Sequence, residues 1–224
     1  MTGLQLRAAR QQAGLTQQQA ATVLGVSQCY LSQLETGSRY LTHQVARKVM
    51  SAYGLSPTRS GVTSRTEWIL SPDEIEGRLV GLGYPRFPRR GMHEASNPAE
   101  LILETLLNRD LDVRLVEALP WVLITYPDLD WRWLIDQCKL SNLQNRLGYL
   151  VQLARQLSRD ASTLARLSAI EDELERCRLA VEGTLCRDSM PEAERRWLRS
   201  KRPAAARHWH LLTDLTVKEL SYAA

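Results

Sequence analysis

The chain has 224 residues, 44% hydrophobic and 24% charged, the balance of an ordinary globular protein with room for one large domain or two small ones. Its formal charge is +4, and the excess sits at the front: residues 1–56 carry +4, residues 57–98 carry +1 and residues 99–224 carry −1. No apolar run approaches the ~18 residues that cross a membrane, Met1-Thr2-Gly3-Leu4-Gln5 lacks the basic-then-apolar pattern of a secretory signal, and Cys29, Cys138, Cys177 and Cys186 have neither zinc-ligand spacing nor disulfide-scaffold density. The expectation is a cytoplasmic protein with reduced thiols, no metal, no cofactor and no membrane partner. The basic front segment suits a polyanion.

Residues 1–56 read as a compact bundle of about five short helices. The first runs near Leu4 to Ala13, with Leu4, Ala8 and Ala9 as its apolar side, and Gly14 ends it. Thr16 is a helix N-cap, and Gln19 three residues later completes a capping box. Gly25 stands where the second helix must stop and reverse, and Ser27 caps the third. Gly37 ends that helix, Ser38 to Leu41 form a loop, and a last helix runs from Thr42 to about Tyr53 with Val45, Val49, Met50 and Tyr53 on its buried side.

The third helix separates into two faces. At about 100° per residue, Gln28, Cys29, Ser32 and Gln33 share an arc of roughly 140°, and Tyr30, Leu31 and Leu34 share the opposite one. The apolar set fixes the helix to the bundle. The polar set projects outward without a carboxylate, and its glutamines and serine both donate and accept. A glutamine amide matches N6 and N7 of adenine in the major groove. Ala21 is small enough for the third helix to cross the second closely, and Gly25 permits the left-handed backbone of such a turn.

Leu15-Thr16-Gln17, Ala21, Leu24-Gly25-Val26-Ser27, Leu31-Ser32, Leu34-Glu35 and Gly37 resemble the XRE, or lambda-repressor-like, helix-turn-helix domain, over residues 4–56. The resemblance implies an N-terminal five-helix DNA-binding bundle whose third helix enters the major groove, commonly as a homodimer on a two-fold site. It implies Gln28, Cys29, Ser32 and Gln33 as base readers, and Gln17 and Arg39 as phosphate contacts. Glu35 would pair with Arg10 of the first helix. Two departures stand out: Ala20 replaces a larger aliphatic residue, which implies a thinner local core, and Cys29 is an unusual base reader.

Residues 57–68, with Pro57, Thr58, Ser60, Gly61, Thr63 and Ser64, read as a linker. A short helix follows, capped by Ser71, with Pro72 at its first position and Asp73, Glu74 and Glu76 in its first turns. The stretch from Gly81 to Pro98 is irregular, with Tyr84 and Phe87 as its anchors. This places residues 57–98 between the DNA-binding bundle and a larger helical domain of residues 99–224.

In that domain Glu100–Asn108, Asp112–Leu119 and Asp130–Cys138 read as helices, with Asp130 as the last one's N-cap. Leu143, Leu147, Leu150, Leu153 and Leu157 form a helical stripe, and Leu167, Ile170, Leu174, Cys177 and Val181 continue at heptad spacing. A packed antiparallel hairpin or a self-association seam both fit. Pro191 and Pro203 bound a last helical region containing Trp197, Trp209, Leu211 and Leu212, and no strand pattern is evident.

Chemistry is sparse here. His208 and His210 flank Trp209 but do not share a helical face, and they read as surface or capping residues. There is no glycine-rich phosphate loop, nucleophile elbow or recognisable acid pair, so no enzyme is expected. The run Arg195, Arg196, Arg199, Lys201, Arg202 and Arg207 is either a second nucleic-acid contact or a solvated face balanced by Glu192 and Glu194. Arg146-Leu147-Gly148-Tyr149-Leu150 resembles a segment of AbiEi-type antitoxins, which implies an autoregulator bound to a toxin or another protein partner. From the residues alone the segment is an amphipathic helix with Gly148 at a close packing point. The chain is therefore expected to be all-α and to bind double-stranded DNA as a sequence-specific regulator, with its C-terminal domain serving dimerisation or partner binding.

Overall fold

A computed structural model describes residues 3–55, 58, 69–88 and 96–220, and the chain divides into two compact units near residue 63. The architecture is all-α. Apart from Thr58, the expected linker lies outside the described residues.

The first unit contains α1 (Gly3–Gln12), α2 (Gln17–Leu24), α3 (Gln28–Glu35) and α4 (His43–Tyr53). Four helices are thus described where about five were expected. Leu6, Ala20, Ala21, Leu24, Leu31, Leu34 and Val49 form the core, with Leu15, Val26, Tyr30, Leu41, Val45, Tyr53 and Leu55 packed around it. The buried side of α1 is Leu6, Ala9 and Arg10: of the expected Leu4, Ala8 and Ala9, Ala9 is buried while Leu4 and Ala8 are exposed. A single helical turn offers two overlapping apolar stripes here, and only contact with α3 and α4 selects one. Ala20 is fully buried, so the small residue is enclosed by the bundle.

The second unit begins with α5 (Pro72–Gly81), opened by a complete Ser71–Glu74 capping box. Tyr84 then packs edge-to-face on Phe87 and on Trp121, anchoring the first part of the irregular stretch as expected; residues 89–95 of that stretch lie outside the described residues. Next come α6 (Pro98–Leu107), α7 (Val113–Glu117), α8 (Leu119–Thr125) and α9 (Trp131–Leu140). Pro120 lies in the first turn of α8, where its missing N–H costs nothing. Asp130 caps α9 through the Trp133 N–H. The Arg78 guanidinium donates to the fully buried Glu104 carboxylate at 2.5 Å, tying α5 to α6.

Helix α10 (Gln144–Leu157) and helix α11 (Ala161–Glu175) form an antiparallel hairpin. Gln144 and Asn145, at the start of α10, donate to the carbonyls of Cys177 and Leu179 beyond the end of α11. The Arg155 guanidinium meets the Glu171 carboxylate at 2.8 Å. Leu167 and Leu174 are buried, but α11 stops at Glu175, so Cys177 and Val181 do not extend the heptad seam. Val181 is 75% exposed.

The remainder is α12 (Glu192–Lys201), α13 (Ala204–His208), a 3₁₀ turn (Val217–Glu219) and a parallel pair, β1 (Gly183–Thr184) with β2 (Leu211–Leu212). Trp209, Leu211 and Leu212 therefore lie outside helices, contrary to expectation. Two-residue strands are too short to show alternation in sequence.

The Arg146–Leu150 segment faces inward. Arg146 donates to the carbonyls of Leu106, Asn108 and Thr184 and to the Asp188 carboxylate. Gly148 lies against the Trp209 ring so closely that a Cβ there would overlap it. The Tyr149 hydroxyl donates to the Leu215 carbonyl. These residues close the C-terminal strand-and-turn region over α10.

Candidate nucleic-acid interface

Local rules position α2 and α3. Thr16 accepts from the Gln19 N–H, and the Gln19 side chain accepts from the Thr16 N–H in return. Gly25 ends α2 at φ 67°, with its N–H donated to the Ala21 and Thr22 carbonyls. A side chain would strain that left-handed conformation. Ser27 then starts α3 by accepting the Tyr30 N–H.

Leu31, Leu34 and Glu35 form the buried side of α3. Gln28 and Cys29 are exposed, and Ser32 and Gln33 are half-buried. The four predicted readers thus share the outward side of one helix. Cys29 and Gln33 stand one turn apart, with the Gln33 amide nitrogen 3.8 Å from the Cys29 sulfur. Cys29, Tyr30, Gln33, Ser27, Val26 and Arg39 line a shallow open depression beside the helix. The Arg39 guanidinium lies over the Tyr30 ring, 5.6 Å from its centroid, a cation–π contact that holds the cation beside α3. Tyr40 follows in the same loop and is 97% exposed.

Beneath this surface, Arg10 donates to both oxygens of Glu35, at 2.6 and 3.1 Å. Its remaining arm donates to the Leu15 carbonyl at 2.8 Å. The Gln17 amide donates to Glu35 at 2.9 Å. The expected Arg10–Glu35 pair is present, and Gln17, the predicted phosphate contact at the start of α2, is also tied into it. Burial opposes charge on Glu35, but hydrogen bonds from Arg10 and Gln17 and the charges of Arg10 and Arg7 outweigh it, and the carboxyl pKa is lowered. The hydrogen bond to Glu35 raises the pKa of Arg10 in turn.

This network has an electrostatic consequence. Glu35 is the sole acid among residues 1–56, and it is buried and neutralised. Arg7, Arg39 and Lys48 are exposed. Among the described residues of this unit, the outward charge is therefore of one sign, which attracts a polyanion.

The Tyr30–Arg39 contact and the Gln17–Glu35 bond were not visible in the sequence. Both join residues on different elements, and no local spacing signals them. Elsewhere, His208 pairs with Glu175 at 2.6 Å on the surface. Among the described residues no group of three His, Cys, Asp or Glu side chains could hold a metal ion, and no helix is long and apolar enough to cross a membrane.

A family model described as a helix-turn-helix domain matches residues 3–60. No curated protein and no solved structure matches the chain. Residues 3–60 are a helix-turn-helix DNA-binding domain. The family match extends no further along the chain.

Proposed function

We propose that the chain is a sequence-specific transcriptional regulator of the XRE, lambda-repressor-like type, acting on double-stranded DNA in the cytoplasm. Helix α3 enters the major groove, where Gln28, Cys29, Ser32 and Gln33 meet base edges. Arg39, Gln17 and the first-turn N–H groups of α2 hold phosphates and fix the register. The protein represses by occupying a promoter. The C-terminal unit is non-catalytic and holds two copies together, because one helix-turn-helix unit buries too little surface for tight binding.

The observation that carries this reading is the composition of the outward side of α3. It is polar and uncharged, and the unit's only acid is buried beneath it. The antitoxin-like alternative rests on Arg146–Leu150, whose side chains are engaged within the C-terminal unit, so that segment offers a partner little surface.

Selection of bound sequences from random duplexes tests the proposal. An enriched motif with two-fold symmetry is expected. Recovery of no motif would contradict it.

A further inference from the structure

Within α12 and its C-cap residue, the arginine-rich run splits into two sets. Arg195 donates to the carbonyls of Asp188 and Met190, Arg199 pairs with Glu182 and Glu192, and Arg202 pairs with Glu182 and donates to the Leu211 carbonyl. These cations stitch α12 to its own unit. Arg196 and Lys201 are exposed, and among the described residues neither has a carboxylate within ion-pair distance.

The split follows the helix. Ala193, Arg196, Trp197, Ser200 and Lys201 are all exposed and fall within an arc of roughly 140° at about 100° per residue. Leu198, the buried residue of α12, lies on the opposite side. The outward stripe itself contains no acid; Glu192 and Glu194 border it on either side and are paired with Arg199 and Arg187. Trp197, between the two free cations, is 53% exposed. Cations flanking a solvent-facing aromatic ring provide phosphate contacts and an apolar surface for the sugar edge of a duplex.

We infer that this face of α12 is a second, sequence-independent contact for duplex DNA, made through Arg196, Lys201 and Trp197. The inference rests on the proposed DNA-binding role of the chain, which supplies the partner. Its charge complementarity singles out a polyanion. Tethering a second weak contact to a first raises affinity without adding base recognition.

The test is salt titration of binding by the full chain, on one duplex carrying a selected site and one of random sequence. Arg196→Ala/Lys201→Ala is expected to make the dependence of log K on log salt shallower by about 2. The weakening should be equal on both duplexes, with base preference unchanged. Arg196→Lys/Lys201→Arg should keep the wild-type slope, and Trp197→Ala should weaken binding to both duplexes without changing the slope. An unchanged slope and affinity in the alanine variant, with base preference intact, would overturn the inference, direct the face to an acidic protein and leave the α3 reading standing. A wild-type chain that binds duplexes without preference, yet loses slope in the alanine variant, would support the α12 face and overturn the α3 reading. Absence of any duplex binding by the wild type would overturn both.

Discussion

Arg10 and Glu35 stand on different helices and form a two-pronged ion pair beneath the surface that α3 presents. The pair removes the only negative charge from the outside of a basic unit, and through Gln17 it also fixes the start of α2. Removing one partner leaves the other buried without its counter-charge. Arg10→Met is expected to cost about 3–5 kcal/mol, and Arg10→Met/Glu35→Leu substantially less. Urea melting of the variants measures both.

The same pair sets a pH dependence. Glu35 has a folded-state pKa below its ordinary value of 4.5. Its contribution to stability is therefore fully present above that value and is lost as pH falls through the lower folded pKa. The melting temperature of the wild type should fall over that acid window. Glu35→Gln should lower it at neutral pH and flatten that part of the profile. Parallel profiles would show that the pair has no such role.

On the outward side of α3, Gln28→Ala and Gln33→Ala should each cost about 1–3 kcal/mol at a cognate site and relax base preference at one position. Affinity for random duplexes should change little. Competition binding on single-base variants of a selected site reads this directly.

In the C-terminal unit, Gly148→Ala forces a methyl into the Trp209 ring. Overpacking of this kind costs about 1–3 kcal/mol. Trp209→Leu alone opens a void and is also destabilising, but the double variant should cost less than the sum of the two. Additive losses in thermal melting would mean that the contact is not tight.

Residues 1–56 alone should bind the selected sequence more weakly than the full chain, with the same motif. Equal affinity would remove the case for dimerisation through the C-terminal unit.

Much of the first unit was legible because its signals are local. The Thr16–Gln19 box, Gly25, Ser27 and the two-faced α3 each lie within a few residues. The Arg10–Glu35 pair came from the family resemblance, not from spacing. The choice of stripe on α1 depends on other helices, and the Tyr30–Arg39 contact on how the loop after α3 folds back over it. The C-terminal unit resisted for the same reason. Cys177 and Val181 keep the heptad spacing, yet Asn145 captures the chain at Leu179 and the helix has already ended. Trp209 looked helical in pattern, but Gly148 and Gln152 hold it from α10, across a long span of sequence.

Methylation interference on a selected site tests the central claim most directly. Guanine N7 lies in the major groove and adenine N3 in the minor groove. Major-groove methylation at defined guanines should block the wild type, and some of those positions should lose their effect in Gln28→Ala or Gln33→Ala. Interference confined to the minor groove, or a pattern that no α3 substitution alters, would contradict the claim that α3 chooses the sequence.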